Sequence, residues 1–230
     1  MKTYQSNNKK FWSSGYEALN VESVIFRLQG RILKPEFKLP KKNRKTKLLE
    51  FGCGQCANLN YFHNLGYNVK GVDISKKDIN RAKIRYPHLE NKISVQSVNP
   101  SEVKYYGWKN NVDLVIANQS LYYLDAEDFN ICIKKIYEQM NKGGIIYASM
   151  WSQKHTYFNY SKKTEYKWLR KVKFKGKRFN LDSYYAFFIK DKRDLINKFK
   201  LFTPLHIGRY FMQLEETETN NDHYVFIGKK

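Results

Sequence analysis

The sequence predicts a doubly wound α/β domain, and three observations carry the prediction. From KLLEF at 47–51 onward, short apolar segments alternate with helix-length segments, the pattern of parallel β-α-β units. One short segment, VDLVIAN at 112–118, is almost uninterruptedly apolar, as a strand buried on both faces of a parallel sheet must be. The first strand-to-helix turn carries Gly52, Gly54 and Ala57 in a G-x-G-x-x-A spacing, which suits a backbone loop built around a nucleotide.

The elements follow in order. In YEALNVESVIFRLQGRIL, residues 16–33, Leu19, Val24, Leu28 and Ile32 recur at roughly helical spacing, and Pro35 and the basic linker KKNRKTK follow; this predicts an N-terminal helix leading into the core. After strand KLLEF come helix ANLNYFHNLG, strand NVKGVDI, helix SKKDINRAKIRY, strand KISVQSV, strand VDLVIAN, a helix over about 126–141, and strand KGGIIYASMW. Asp125 and Asp128 read as a helix cap and a first-turn charge; a metal site at Asp125, Glu127 and Asp128 is the alternative. Residues 152–183 are basic and aromatic without a clean period. KDKRDLINKFK then reads as a helix, and PLHIGRYFMQL and HYVFIGKK as closing strands around the polar turn EETETNND. The layout is one domain over 1–230: an N-terminal helical cap (1–44), a ligand-binding core (45–150), a basic aromatic insertion or lid (151–184), and a closing helix with two strands (185–230).

A chain of 230 residues with 42% hydrophobic content can bury one substantial core. No run of about 18 apolar residues occurs, and MKTYQSNNKKFW lacks the apolar stretch of a signal peptide; both point to a soluble cytoplasmic chain with no membrane span. Three cysteines, an odd number, fit a reducing compartment rather than a disulfide framework. The net charge of +21 favours an anionic partner, although a composition rich in Lys, Asn, Tyr and Phe gives the same excess without any binding role. Residues 151–200 hold 15 basic residues against 4 acidic ones, so the excess is concentrated there.

Cys53 and Cys56 form a C-x-x-C inside the glycine turn, and a redox site would need an exposed thiol of low pKa there. The nucleotide reading instead uses every small residue: Gly52 for the sharp turn, Gly54 for close approach of a ligand, and Ala57 for helix-on-strand packing. Asp73 lies 19 residues after Gly54 at the end of the next strand, where a carboxylate can accept from ribose hydroxyls. Zinc would need four ligands, and no second Cys/His pair follows. Glu50, two residues before Gly52, faces the crevice as a carboxylate able to take an ammonium, which a nicotinamide dinucleotide does not offer beside that loop.

The blocks LLEFGCG (48–54), VKGVDIS (69–75), VDLVIANQSLYYL (112–124) and MNKGGIIYAS (140–149), in this order and spacing, resemble the class I S-adenosylmethionine-dependent methyltransferases over about residues 45–150. The resemblance implies a Rossmann-like sheet of seven strands in the order 3-2-1-4-5-7-6, with helices on both faces and HYVFIGKK as the antiparallel strand. It implies S-adenosyl-L-methionine as cofactor: Glu50 with the backbone at Gly52 and Gly54 holding the methionine part, Asp73 the ribose, and Ile74 the adenine. Where the family often has Asp at the end of strand three, this chain has Ser97 followed by Val98; where the loop often has a third glycine, it has Cys56. Asn118 would line the floor near the transferred methyl.

For a hydroxyl or amine acceptor a general base helps, and Tyr122, Tyr123, His155 and His206 are the candidates near the ends of strands four, five and six. ANQSLYY replaces the Asn/Asp-Pro-Pro-Tyr/Phe expected for base-amine methylation, and Cys132 lies mid-helix rather than where a cytosine nucleophile would sit. A small-molecule acceptor is favoured, with the insertion and the segment around Tyr4, Phe11 and Trp12 as a lid. Lys162, Lys163, Lys167, Arg170, Lys171 and Arg178 would suit a phosphorylated or nucleotide-linked sugar, or form a solvated basic surface. The alternative is RNA, with Tyr166, Trp168 and Phe174 stacking on bases. A catalytically idle scaffold is the third reading.

Overall fold

The side-chain amide of Asn8 does what a neighbouring strand would do. It donates to the Tyr185 carbonyl at 2.9 Å and accepts from the Tyr185 N–H at 2.7 Å, fastening helix α1 (Thr3–Ser13) to the far end of the chain. The computed structural model describes residues 1–13, 19–42, 45–173, 183–213 and 221–230. The buried side of α1 is Tyr4, Gln5, Asn8 and Phe11, half of it polar, so apolar periodicity could not announce it. The helix expected over 16–33 begins only at α2 (Ser23–Leu28) and continues as a π-helical turn through Leu33; residues 14–18 lie outside the described residues.

The core strands are β1 (Lys47–Phe51), β2 (Asn68–Asp73), β3 (Ile93–Val95), β4 (Val112–Ala117) and β5 (Met140–Trp151). Between them run α3 (Ala57–Asn64), α4 (Lys76–Arg85) and α5 (Ala126–Gln139). Strand β3 is shorter than the expected KISVQSV. Period-two alternation divides the core: Leu48, Leu114, Ile116, Ile145 and Tyr147 pack with Ile25, Leu28, Leu59, Phe62, Ile79 and Ala82, hence with α2, α3 and α4. Leu49, Phe51, Val115, Ala117, Ile146, Ala148 and Met150 pack on the other face with Tyr4, Phe11, Phe129, Ile133 and Ile136, from α1 and α5. Successive residues of a strand point to opposite faces, and a sheet apolar on both faces needs helices on both.

The insertion does have regular structure. It forms α6 (Thr156–Asn159), β6 (Ser161–Lys163), β7 (Arg170–Lys173) and β8 (Ser183–Ala186), the three strands making a small antiparallel sheet in the order β6-β7-β8. Phe174 and Arg178 lie outside the described residues. The chain closes with α7 (Lys192–Lys198), β9 (Thr203–Tyr210) and β10 (His223–Lys229); residues 214–220 of the expected polar turn also lie outside. The large sheet runs β3-β2-β1-β4-β5-β10-β9, with β10 antiparallel to both neighbours. That is the expected 3-2-1-4-5-7-6 order, β9 and β10 being its sixth and seventh strands.

Asp125 caps α5 by accepting from the Asp128 N–H at 2.9 Å. Asp128 is more than a first-turn charge: it is buried and takes hydrogen bonds from Tyr4 and Gln5. The ammonium of Lys2 meets Asp125, Glu127 and Asp128 at 2.8, 2.9 and 3.3 Å, so the trio of carboxylates converges on a lysine. Among the described residues, no helix is long and apolar enough to cross a membrane.

Candidate functional site

The carboxyl ends of β1, β2 and β4 meet at the glycine turn. Gly52 sits at φ +73°, and a Cβ on it would lie 2.4 Å from the Ser120 Cβ, while the Ser120 hydroxyl donates to the Phe51 carbonyl at 2.7 Å. Gly54 sits at φ +50°, and a Cβ there would meet no protein atom within 4 Å. The first glycine is required by the protein's own packing; the second leaves open space against the backbone. A close helix-on-strand approach is at Gly71, where a Cβ would lie 2.8 Å from the Leu59 side chain and 2.9 Å from the Cys53 sulfur. Sequence reasoning placed that role at Ala57, and the only hint of Gly71 was a glycine inside a strand.

Asp73 holds the turn as well as facing it. One carboxylate oxygen accepts from the Gly54 N–H at 2.8 Å and the other from the Ser75 N–H at 2.8 Å. Burial pushes its pKa up to about 6 against the pull of these N–H groups. Each oxygen keeps a lone pair for a further donor.

Glu50 is 2% exposed. Oε1 accepts from Asn58 of α3 at 3.3 Å, whereas Oε2 is buried without a hydrogen-bond partner. Burial, with the Glu22 and Asp73 charges adding to it against the Asn58 hydrogen bond, pushes its pKa up to about 8. An orphaned buried carboxylate oxygen is costly, and an ammonium is the group that relieves it. The residues therefore fit a ligand with a cationic amino acid end over Glu50 and a nucleoside over Gly54 and Asp73.

The two cysteines do not form a thiolate site. Both are buried, and the Cys56 hydrogen bond together with burial pushes the Cys53 thiol well above its ordinary value. Cys56 caps α3 in the left-handed region at φ +65°, the conformation a third glycine would serve. Ile74, Ser97 and Val98 are half-buried beyond the ends of β2 and β3, and the Ser97 hydroxyl donates to Glu102 at 2.6 Å.

Asn118, just after β4, is buried and accepts from Ser149 at 2.8 Å and Tyr147 at 3.3 Å. Beside it stands Glu22, which no sequence signal singled out. Gln119 donates to its Oε2 at 2.7 Å, and its backbone N–H donates to Asn58 at 3.2 Å. Burial raises its pKa against hydrogen bonds from Asn118 and Gln119.

Tyr122 is buried and stacks on Trp151 at 4.6 Å, with the Tyr123 hydroxyl 3.5 Å from its own. His155, expected as a candidate base, caps α6 instead: its Nδ1 accepts from the Tyr157 N–H at 3.1 Å, and its ring packs on Trp151 at 4.4 Å. At 1% exposed, burial and then the neighbouring His223 push its pKa down to about 3, which makes it a poor proton acceptor. His206 pairs with Glu36 at 2.7 Å in the middle of β9, four residues short of the strand's carboxyl end.

Residues 49–148 match the family model of the methyltransferase domain. A S-adenosylmethionine-dependent methyltransferase from Methanosarcina mazei is similar in structure with a TM-score of 0.67 at 16% identity, over 92% of this chain and 99% of that one. TehB from Haemophilus influenzae gives 0.60 at 18% identity over 96% and 67%. The N-methyltransferase NodS from Bradyrhizobium japonicum, in complex with S-adenosyl-L-homocysteine, gives 0.57 at 15% identity over 100% and 99%. No curated protein sequence matches the chain. With the sheet order, the glycine turn and the unpartnered Glu50 in place, residues 49–148 form a methyltransferase domain on a sheet with the strand order expected of the class I S-adenosylmethionine-dependent fold.

Proposed function

We infer that the chain transfers the methyl group of S-adenosylmethionine to a small-molecule acceptor, by O- or N-methylation, in the crevice beyond Asn118. The unpartnered buried oxygen of Glu50 carries the cofactor half of this reading. Glu50 takes the ammonium of the cofactor, the Gly52–Gly54 backbone its methionine part, Asp73 the ribose hydroxyls, and Ile74, Ser97 and Val98 flank the adenine. When bound, the cofactor supplies an electrophilic methyl on a sulfonium, open to in-line displacement. The protein's share is alignment and exclusion of water, and alignment can contribute roughly 7–11 kcal/mol.

The cover over the acceptor is aromatic. Phe11 and Trp12 of α1 lie against Tyr184 and Tyr123 at 4.6 and 5.0 Å, which supports a lid made by α1 and the insertion. The basic insertion suggests an anionic acceptor such as a phosphorylated or nucleotide-linked sugar. Its Lys162, Lys163 and Lys167 are exposed, while Arg170 is bound to the Ser161 hydroxyl and carbonyl at 2.6 and 2.8 Å. RNA is the weaker reading, because Tyr166 packs on Tyr4 at 5.1 Å and Trp168 on Phe187 at 5.6 Å; rings committed to the core do not stack on bases.

Calorimetry with S-adenosylhomocysteine tests the cofactor half: micromolar binding is expected, and none would overturn the reading. Transfer of a labelled methyl into a small-metabolite extract and into total RNA tests the other half. Label in the extract alone supports a small molecule, and label in RNA alone overturns it.

A further inference from the structure

Two buried histidines stand side by side, each with one ring nitrogen to spare. His155 is 1% exposed and His223 2% exposed, and their rings meet edge to face with centroids 5.9 Å apart. The Nε2 atom of each is buried without a hydrogen-bond partner. The other ring nitrogens fix the tautomers. His223 Nδ1 lies 3.0 Å from the Asn221 carbonyl, which can only accept, so Nδ1 carries the proton. Burial pushes the pKa of this ring down to about 4, which leaves Nε2 a bare lone pair at neutral pH. His155 Nδ1 accepts from the Tyr157 N–H, and that ring is neutral as well, so its proton sits on Nε2. One nitrogen is a donor without an acceptor, and the other is an acceptor without a donor. The Asn221 side chain approaches His155 without closing a hydrogen bond on Nε2. The nearby Asp222 is taken by Arg209, whose Nε donates to both carboxylate oxygens at 2.9 Å.

A buried polar nitrogen without a partner costs stability. A core that needed only an aromatic ring could use phenylalanine, as it does at Phe188 beside His155. Two such nitrogens in neighbouring rings point to a group that arrives from outside. Their place in the fold says where it arrives. His223 pairs with Trp151 across the β5–β10 ladder and with Tyr210 across the β10–β9 ladder, which puts it at the carboxyl end of β5, where the crevice of a doubly wound sheet opens. Ser149, which donates to Asn118, precedes Trp151 by two residues on β5, roughly 7 Å along the strand. The Tyr210 ring stacks on His223 at 4.9 Å, and its hydroxyl stands 3.4 Å from the Gln119 amide nitrogen. The histidine pair therefore lies about one small-molecule length beyond Asn118.

We propose that His155 and His223 together recognise the methyl acceptor through an uncharged group that both gives and takes a hydrogen bond, a hydroxyl or a ring amide. This rests on the crevice beyond Asn118 being the methyl-transfer site. The group accepts from His155 Nε2–H and donates to His223 Nε2, so both orphaned atoms are satisfied at once. Neither histidine takes up a proton in the reaction; the pair fixes where the acceptor lies. A phosphate or carboxylate is a poor occupant, because it has no proton to offer the bare His223 nitrogen and would lose its hydration among neutral rings. The charged part of an anionic acceptor stays outside, among the exposed lysines of the insertion. Trp151, on which His155 packs, also touches Tyr184 at 5.8 Å, and Tyr184 lies against Phe11 of α1, so the cover made by α1 and the insertion controls entry.

The test follows transfer of a labelled methyl into a small-metabolite extract at rising extract concentration. His223→Phe keeps an aromatic ring and loses the lone pair. It should raise the half-saturating extract concentration about tenfold, the size of one buried hydrogen bond, with the plateau rate and S-adenosylhomocysteine affinity within about twofold. His155→Phe, which loses the donor, should do the same. His223→Gln, whose amide oxygen can replace the Nε2 lone pair, should return half-saturation to within about threefold of wild type. Retained S-adenosylhomocysteine binding shows that a variant folds. Half-saturation unchanged in both Phe variants, or a fall confined to plateau and cofactor affinity, makes the histidines core packing around a buried water and overturns the proposal. Nitrogen NMR on the unaltered protein supplies a second measurement: His155 should carry its proton on Nε2 and His223 on Nδ1 at pH 7, and the opposite tautomers or charged rings overturn the proposal. A wild type that binds S-adenosylhomocysteine yet labels nothing in the extract overturns instead the small-molecule reading on which the pair's role rests.

Discussion

The two halves of the crevice are built in different ways. The proposed cofactor half comes from about 25 consecutive residues, 50–75, in which backbone N–H groups and two glycines meet two carboxylates. The wall proposed for the acceptor half brings together Glu22, Asn118, Gln119, Tyr147 and Tyr210, drawn from four separate stretches of the chain. The first half is a local motif that any sequence of this pattern reproduces. The second exists only once the sheet has closed with β9 and β10 beside β5. Local backbone geometry tolerates little substitution, whereas a wall of side chains can be altered one residue at a time.

The largest expected effect breaks the first half from inside. Gly52→Ala should cost about 2–4 kcal/mol in thermal unfolding, combining left-handed strain with a clash on Ser120. Gly54→Ala, with open space at its Cβ, should cost only about 1–2 kcal/mol of stability yet abolish most cofactor affinity. Equal losses of stability in the two variants would remove the distinction between a packing glycine and a ligand glycine. Asp73→Ala deletes two charged hydrogen bonds to the turn along with the ribose contacts. Calorimetry should show S-adenosylhomocysteine affinity down about a hundredfold, or roughly 2.7 kcal/mol.

Glu50 gives the comparison a pH dependence. Its pKa in the free protein, about 8, lies above its ordinary 4.5. The stability tied to it is therefore fully present below about 4.5 and is lost as pH rises through about 8. An ammonium needs the ionised form, so ligand binding near pH 7 must expel that proton. Affinity for S-adenosylhomocysteine should rise from pH 6 to 8 by up to about tenfold per unit, with proton release visible as a dependence on buffer ionisation enthalpy. Glu50→Gln should abolish the release; a release that persisted would assign it to another group.

A smaller effect probes the acceptor half. Asn8→Ala leaves the Tyr185 N–H and carbonyl without their partner and should cost about 1–3 kcal/mol, loosening the cover while S-adenosylhomocysteine binding stays within about threefold. Smallest of all, Cys53→Ala should leave cofactor binding nearly unchanged. A redox-dependent affinity would reopen the thiol reading.

Legibility followed the same division. The alternating segments, the buried β4, the cap at Asp125 and the turn at Gly52 and Gly54 could be read directly, because each depends on residues close in sequence. Glu22 could not, since it carries no motif and matters only by meeting Asn118 and Gln119 across 96 or more positions. Helix α1 was hidden because its buried face uses Gln5 and Asn8, whose burial is stabilised by partners more than 120 residues away. His155 looked like a base from its place after β5; packing against Trp151 and His223 buries its ring and lowers its pKa.

The sequence by itself determined the β-α-β order, the glycine turn and the carboxylates at 50 and 73, since periodicity and short spacing are local properties of a chain. Only the tertiary structure decided which carboxylate oxygen is left unpartnered, how deeply His155 is buried, and that Glu22, Glu50 and Asp73 come together inside a basic protein. Those properties depend on desolvation and on charges brought together across the fold, and neither is written in any one segment.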